Sequence, residues 1–183
     1  MRIAIGADHG GYTLKKDIVD FLKKDYYEVK DFGTYSIKRC DYPAIGYEVA
    51  SNIASGKFDR GILICKTGLG MCMVSNKVPG IRAALLHDVK SARSSREHND
   101  ANIAVFSGNL MDKNKAKKIL KAWLTTKFLG GRHAKRLGQI KRIEKKIVGN
   151  GFTKTEYKGR QEHKSIPRLH SGLPSVAGTQ VRS

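Results

Sequence analysis

Residues 61–70 read Gly61-Ile62-Leu63-Ile64-Cys65-Lys66-Thr67-Gly68-Leu69-Gly70, an apolar run that ends at a cysteine and breaks into a glycine turn. A short aliphatic run bounded by glycine predicts a buried parallel strand, and ligands of open α/β sheets bind beyond the carboxyl ends of such strands. The glycines leave backbone N–H groups free to bind an anion, at a turn expected to open a helix. A thiol beside an anion hole indicates proton or acyl chemistry.

Strand-like apolar runs alternate with helical patterns over the rest of the chain. This alternation predicts an α/β fold: a three-layer α/β/α sandwich, Rossmann-like, with a five-stranded parallel sheet. The predicted strands cover residues 2–6, 27–31, 60–65, 81–86 and 103–106. Helical spacing between the strands predicts core faces, formed by Leu14, Ile18, Phe21, Leu22, Ile45, Val49 and Ile53.

Two further helices are predicted at residues 113–127 and 134–148. The second is very basic and has a narrow apolar stripe, made of Leu137, Ile140, Ile143 and Ile147. A narrow stripe on a charged helix suits docking onto a neighbour. The C-terminal helix is therefore expected to pack in a dimer of this chain.

The 183 residues suit one domain of ordinary size followed by a tail. Residues 1–148 are predicted to form that domain, because periodic apolar faces end there. Residues 149–183 shift to glycine, serine, threonine and charged residues, and they are predicted to form a basic, flexible tail.

The three cysteines have neither an even count nor the spacing of a zinc site, so neither a disulfide framework nor a structural metal is expected. The N-terminus leads into a strand pattern without the apolar region of a signal peptide, and no apolar run is long enough to span a membrane. A cytoplasmic protein is the expectation.

The formal net charge of +19 raises the question of a nucleic-acid partner. The basicity is local, because residues 111–148 contain thirteen lysines and arginines against Asp112 and Glu144. No aromatic residues interleave with that charge in a stacking pattern, and no recognised binding motif is present. Nucleic-acid binding by this segment is kept as an alternative function, since a basic surface also captures phosphorylated substrates.

Cys65 is the candidate reactive cysteine, although a lone cysteine is more often a small buried hydrophobe. A helix N-terminus and the neighbouring Lys66 would both favour its thiolate form. Cys40 and Cys72 lack that combination and are expected to be structural. The glycine turn after Cys65 matches neither the dinucleotide fingerprint nor a P-loop, and it suits one small anion.

Polar side chains follow other predicted strands and open other helices. Asp8 and His9 end the first strand, where Asp8 is either a helix N-cap or a site residue and His9 is a candidate phosphate contact. Asp41 precedes a proline-started helix, which is ordinary capping chemistry. Arg132 and Arg136 lie one helical turn apart and can clamp a phosphate together. The polar cluster at residues 97–100 is explained equally well as a solvated helix end and as a group of site residues.

Together these residues resemble the ribose-5-phosphate isomerase B family, which also contains galactose-6-phosphate isomerase subunits. The resemblance covers roughly residues 1–145, with its landmarks in order. They are Gly6-Ala7-Asp8-His9-Gly10-Gly11-Tyr12, Asp41-Tyr42-Pro43, Gly61 to Met71, Asn76-Lys77, Gly80-Ile81-Arg82-Ala83, His98-Asn99-Asp100-Ala101-Asn102 and Gly130-Gly131-Arg132-His133.

The resemblance implies an aldose–ketose isomerase of the non-oxidative pentose phosphate pathway, acting on ribose 5-phosphate and ribulose 5-phosphate through an enediolate without a cofactor or metal. By position, Cys65 is the base between C2 and C1 and Thr67 assists proton transfer at the hydroxyls. His98, with Asp8, would open the furanose ring. Another branch of the family uses a glutamate at the position of Met71, which here cannot act as a base.

The family's binding residues also carry over by position. Backbone N–H groups would hold the enediolate oxygen, from Lys66, Gly68, Leu69 and Gly70. Phosphate would bind to His9, Arg132 and Arg136, and the sugar hydroxyls to Asp41, Tyr42 and Asn99. The family forms homodimers or homotetramers with sites shared between subunits, and no membrane contact is expected.

Two departures from the family leave alternatives open. The residue after the cysteine is usually glycine and is Lys66 here, and Asn109 stands where many members carry arginine. An isomerase of a six-carbon sugar phosphate, such as galactose 6-phosphate or allose 6-phosphate, is therefore an alternative. A catalytically impaired homologue retained as a partner subunit is another.

Overall fold

Five short parallel strands form one sheet at the centre of the fold. The computed structural model describes residues 1–149. The strands are β1 (Arg2–Ala7), β2 (Glu28–Asp31), β3 (Arg60–Cys65), β4 (Ala83–Leu85) and β5 (Ile103–Ser107). Their order across the sheet is β2-β1-β3-β5-β4, and every neighbouring pair is parallel. The predicted five-stranded parallel sheet is confirmed.

Helices cover both faces of this sheet. They are α1 (Tyr12–Lys24), α2 (Tyr42–Ala54), α3 (Leu69–Ser75), α4 (Val89–Glu97), α5 (Lys113–Thr125) and α6 (Gly131–Gly149). One apolar cluster joins the sheet to α1, α4 and α5, and a second joins it to α2 and α3. The three-layer Rossmann-like sandwich predicted from the sequence is therefore confirmed.

The predicted helical faces lie in these two clusters. Leu14, Ile18 and Leu22 are buried on α1, and Val49 and Ile53 on α2. On α5 the buried side chains include the fully enclosed Trp123. Spacing alone therefore located the core.

Element ends differ from the predictions where local hydrogen bonds intervene. The strand predicted at residues 81–86 is shorter, because the N–H of Ile81 bonds to the carbonyl of Val78 in a turn. Helix α5 ends at Thr125, since Thr126 is extended and its hydroxyl bonds to the Ala122 carbonyl at 2.6 Å. Helix α6 begins three residues before the predicted Ala134.

Among residues 1–149, no helix combines the length and the apolar sequence needed to cross a membrane. The predicted tail, apart from Gly149, lies outside the described residues.

An unpredicted buried ion pair joins α1 to β2. The Lys15 side chain is only 1% exposed, and its Nζ lies 2.6 and 2.7 Å from the two carboxylate oxygens of Asp31. The same Nζ donates to the Thr34 carbonyl at 2.7 Å. Asp31 also accepts the Gly33 N–H, so the pair fixes the chain as it leaves β2.

Removing this lysine is expected to destabilise the domain. Lys15→Met leaves the Asp31 carboxylate without its cation, and we expect the free energy of unfolding to fall by about 2 kcal/mol, less than for a fully enclosed pair because Asp31 is partly exposed. Urea unfolding followed by circular dichroism measures the change. Lys57→Met, at an exposed lysine, is the matched control and should stay within about 0.5 kcal/mol of the parent. Equal midpoints for the two variants would contradict the expectation.

Candidate active site

The candidate site lies where the strand order reverses, between β1 and β3. The chain passes from β1 to β2 on one side and returns to β3 on the other, which opens a crevice at the carboxyl ends of β1 and β3. Asp8 follows β1 and Cys65 ends β3. The Asp8 N–H donates to the Ile64 carbonyl at 3.1 Å, so the two residues meet at the same edge of the sheet.

Cys65 is held at this edge by the turn that follows it. Its side chain is buried, with 4% exposed, and its Sγ accepts the N–H of Gly68 at 3.2 Å. Gly68 has φ +80°, in the left-handed region that favours glycine, and it is the N-cap of α3. Thr67 and Leu69 are exposed beside it, and helix α3 begins at Leu69. The loop thus places backbone donors and a thiol together.

Lys66 fits the turn without strain. Within residues 1–149, positive φ angles at residues other than glycine occur at Tyr26 and Asp100, not at Lys66. The Lys66 carbonyl accepts the Ser107 hydroxyl at 2.9 Å and the Asn109 N–H at 3.2 Å. The loops after β3 and β5 are therefore joined through this residue, and the position accepts a side chain.

Asp8 stabilises the loop between β1 and α1 through hydrogen bonds to its backbone. Its Oδ1 accepts the N–H groups of Gly10 and Gly11, at 2.9 and 3.1 Å. The prediction of Asp8 as the helix N-cap is wrong in position, because Gly11 is the N-cap of α1 and makes no side-chain bond. The carboxylate satisfies donors one turn earlier instead. Its other oxygen makes no hydrogen bond within residues 1–149.

His9 and the start of α2 lie at this edge as well. The Nδ1 of His9 is 3.3 Å from both the N–H and the carbonyl of Cys40. Asp41 holds the N-cap position of α2 but makes no side-chain capping bond, so its carboxylate is free of the role that its sequence context suggested. The first residue of the helix, Tyr42, places its ring against Gly70, where a β-carbon would approach its Cζ to 2.5 Å.

A second group of residues lies at the opposite edge of the sheet, where β5 begins. It consists of four predicted site residues and one further histidine: His98, Asn99, Arg132, Arg136 and His133. His98 caps the end of α4 and stacks on His133, with ring centroids 4.4 Å apart and an interplanar angle of 12°. Arg132 and Arg136 flank His133 on the first turns of α6 and are exposed. Asn99 follows His98, and its carbonyl accepts the Nε of Arg82 just before β4.

The two groups do not meet within one chain. Cys65 pairs in register with Ser107, the last residue of β5, whereas Asn99 and His98 precede Ile103, its first residue. Four residue steps along β5, about 13 Å, separate the two ends. The structure therefore brings together the residues around Cys65 at one edge and, separately, the residues expected to bind phosphate and open the ring.

One member of the second group, His133, has a lowered pKa. Burial lowers the pKa of His133, and the nearby His98, Arg132 and Arg136 lower it further. A histidine with a lowered pKa in the folded state takes up protons less readily than in the unfolded chain, so stability falls as the pH drops below the ordinary value of 6.5.

We expect the urea midpoint to be lower at about pH 5.5 than at about pH 7.5, and His133→Gln to reduce that difference. His87→Gln, at an exposed histidine before α4, is the matched control and should keep the parental dependence. If His133→Gln retains the full difference, the neutral imidazole of His133 is not the source.

A network of two arginines and one aspartate supports the second group and was not found by the sequence reasoning. Asp100, at φ +45°, accepts Arg82 at 2.8 Å and the nearly buried Arg96 at 2.7 Å. Arg96 also lies over the ring of Trp123. The i, i+4 spacing of Arg96 and Asp100 was an available signal, but nothing in the spacing indicates Arg82.

The other two cysteines make contacts different from those of Cys65. Cys72 donates its Sγ hydrogen to the Ala83 carbonyl at 3.4 Å, and burial raises the pKa of its thiol. Cys40 is half-buried and contacts His9 through its backbone. Across residues 1–149, no three histidine, cysteine or acidic side chains are grouped as metal ligands.

Comparison with known proteins identifies close relatives. The model of the family described as Ribose/Galactose Isomerase matches residues 3–140. Ribose-5-phosphate isomerase B of Escherichia coli is 43% identical over 145 residues, which cover 79% of this chain and 97% of that protein. D-erythrulose-4-phosphate isomerase of Pectobacterium atrosepticum is 40% identical over 141 residues, which cover 76% of this chain and 93% of that protein.

Solved structures agree with these relatives. Ribose-5-phosphate isomerase B of Clostridium thermocellum has a TM-score of 0.79 and 54% identity, over 80% of this chain and 99% of that one. The Mycoplasma genitalium enzyme of the same name, solved with bound ribulose-5-phosphate, has a TM-score of 0.75 and 40% identity, over 79% and 96%.

Proposed function

The chain belongs to the ribose/galactose isomerase family and is a sugar phosphate isomerase, and from this premise we propose that it interconverts ribose 5-phosphate and ribulose 5-phosphate with Cys65 as the base. One observation carries the assignment of the base: the Cys65 sulfur lies at the end of β3, in the β1–β3 crevice, and accepts the Gly68 N–H. This hydrogen bond fixes the sulfur beside the turn that carries the backbone donors.

The reaction moves one hydrogen between adjacent carbons. The Cys65 thiolate takes the proton from C2 of the open-chain aldose, which leaves an enediolate, and the resulting thiol returns a proton to C1. The hydroxyl proton passes from O2 to O1, a transfer that we assign to Thr67. Because the sugar is a weak carbon acid, the enediolate requires donors fixed in place where its charge develops. We assign these donors to the backbone N–H groups of residues 66–70, where substrate would compete with the Cys65 sulfur for the Gly68 N–H and with the Thr67 hydroxyl for the Leu69 N–H.

We assign the binding roles by the edge of the sheet at which each side chain lies. At the edge that holds Cys65, we assign His9 to the phosphate, and Asp41 and Tyr42 to the sugar hydroxyls. The uncommitted oxygen of Asp8 is assigned to ring opening together with His98. From the second group, Asn99 binds hydroxyls, and Arg132 and Arg136 bind the phosphate through forked hydrogen bonds.

A second copy of the chain is needed to complete the site. Within one chain about 13 Å of sheet separates the two groups, which is more than one side chain spans. Helix α6 carries Ile140, Ile143 and Ile147 with 44%, 57% and 52% of their surfaces exposed, an apolar stripe suited to a partner subunit. We assign these isoleucines to a homodimer contact that brings the partner subunit's second group to Cys65, with a homotetramer as two such dimers.

The substrate is tested with purified protein and EDTA in the presence of four sugar phosphates. We expect ketose formation from ribose 5-phosphate at a higher kcat/KM than from allose 6-phosphate or galactose 6-phosphate, and a lower rate with D-erythrulose 4-phosphate. A higher kcat/KM with a six-carbon or four-carbon substrate would replace ribose 5-phosphate in the proposal. Absence of turnover with all four would favour an impaired homologue retained as a partner subunit.

Nucleic-acid binding is not favoured by any specific contact. The basic segment folds as α5 and α6, and its aromatic residues Trp123 and Phe128 are buried and half-buried. Exposed aromatic rings for base stacking are therefore missing from the described part of this segment. A mobility-shift assay with labelled RNA at low salt is the direct test, and a shift that disappears with added salt would revive the alternative.

A further inference from the structure

Lys66 follows Cys65 directly, yet its side chain points to the face of the sheet opposite to the one that the Cys65 side chain faces. Successive residues of a strand point to opposite faces. Cys65 belongs to the cluster under α2 and α3, and Ile64 to the cluster under α1 and α5. Continuing the alternation by one residue past the strand, Lys66 points to the α1 face, away from the sulfur.

Contacts with the neighbouring loop agree with this direction. A β-carbon built at Gly10 would lie 3.0 Å from the Cβ of Lys66, so the loop between β1 and α1 packs against the base of the lysine side chain. The Asn109 N–H binds the Lys66 carbonyl from the other side. The side chain therefore emerges between the loop that carries His9 and the loop that follows β5.

The ammonium group of Lys66 has no direct partner within residues 1–149. Lys66 is exposed, and its Nζ has neither a carboxylate within 4.0 Å nor a hydrogen-bond acceptor among residues 1–149. In the loop between β1 and α1, Asp8 commits one oxygen to backbone donors. Asn109, whose N–H binds the Lys66 carbonyl, carries no charge. The other cations of this edge, Lys38 and Arg39, are exposed and lie in the loop before α2.

We propose that the side chain of Lys66 binds the phosphate of the substrate, from the same subunit that supplies Cys65. This inference rests on the proposed function. A sugar phosphate places its reacting carbons and its phosphate at opposite ends, so a cation directed away from the sulfur but rooted next to it reaches the far end. The four-carbon stem of lysine provides that reach, and its ammonium is a compact phosphate ligand.

The test measures the affinity for inorganic phosphate by isothermal titration calorimetry, on the full-length protein. Lys66→Met is expected to raise the phosphate Kd by about tenfold, and Lys66→Arg to stay within about threefold of the parent. Lys66→Gly removes the same charge and serves if Lys66→Met does not fold. The matched control is Lys24→Met, at an exposed lysine that ends α1, with unchanged affinity expected.

Kinetics with ribose 5-phosphate separate this role from an effect on the thiol. We expect KM to rise by the same factor as the phosphate Kd in Lys66→Met, with kcat within about threefold of the parent. Unchanged phosphate affinity overturns the inference, and so does a fall in kcat alone, which would place the lysine's influence at Cys65. A parent protein without turnover but with Lys66-dependent phosphate binding would sink the proposed function and leave the inference standing.

Discussion

Replacement of Cys65 by alanine is expected to lower kcat for the interconversion of ribose 5-phosphate and ribulose 5-phosphate by about 10³-fold. The variant loses the thiol that we propose removes the proton from C2, while the backbone donors that we assign to substrate binding in the following turn remain. KM should therefore change much less than kcat, as for an interaction made only in the transition state. Initial rates over a range of ribose 5-phosphate concentrations give both constants.

The matched control for this variant is Cys72→Ala. Cys72 lies on α3, and its sulfur bonds to the Ala83 carbonyl rather than facing the crevice. We expect kcat for Cys72→Ala within about threefold of the parent, with a modest loss of stability from the lost buried atom. A Cys65→Ala enzyme that retains the parental kcat would remove this cysteine as the base and leave the site without a proton acceptor on β3.

Mixing two inactive variants is expected to restore activity. Cys65→Ala breaks the edge that holds the thiol, and the double variant Arg132→Ala/Arg136→Ala breaks the second group. In a dimer with shared sites, a heterodimer of the two has one site with both defects and one with neither. Subunit exchange in an equal mixture makes half of the dimers mixed, so about a quarter of the parental activity should return.

A same-edge pair is the control for this rescue. Cys65→Ala mixed with Asp8→Asn leaves every site with one defect, so the activity should remain at the average of the two separate variants. Co-refolding from urea provides the exchange, and coupled detection of ribulose 5-phosphate provides the rate. If the arginine variant and Cys65→Ala fail to complement, the two groups do not act together across subunits.

The sequence predicted the fold well because the fold follows from hydrophobic spacing. The run that ends at Cys65 was located to the residue, since a buried parallel strand must be apolar throughout and glycine bounds it. The α1 face of Leu14, Ile18 and Leu22 was found by the helical period. Strand β4 was overextended because burial of Ile81 continues into a turn, where spacing does not distinguish the two.

The site was harder to predict because its organisation depends on contacts between distant residues. Local sequence spacing does not predict the ion pair between Lys15 and Asp31. A lysine at that position of a helix is expected at the surface. Because Asp8 and Cys65 both lie at the carboxyl ends of strands, the sequence correctly predicted that they lie at the same edge of the sheet. The separation of His98 from that group follows from α4 running back across the sheet, which the strand and helix order determines but motif matching ignores.

The ordinary backbone of Lys66 has a practical consequence for altering the enzyme. Gly68 is confined by its left-handed φ, and Gly70 by the ring of Tyr42, so substitutions there disturb the turn itself. Position 66 lies between Cys65 and these glycines, yet its φ is not in the left-handed region. A library randomised at this codon would scan charge and length beside the substrate while the turn keeps its shape, which makes it the natural starting point for redirecting the enzyme toward other acidic sugars.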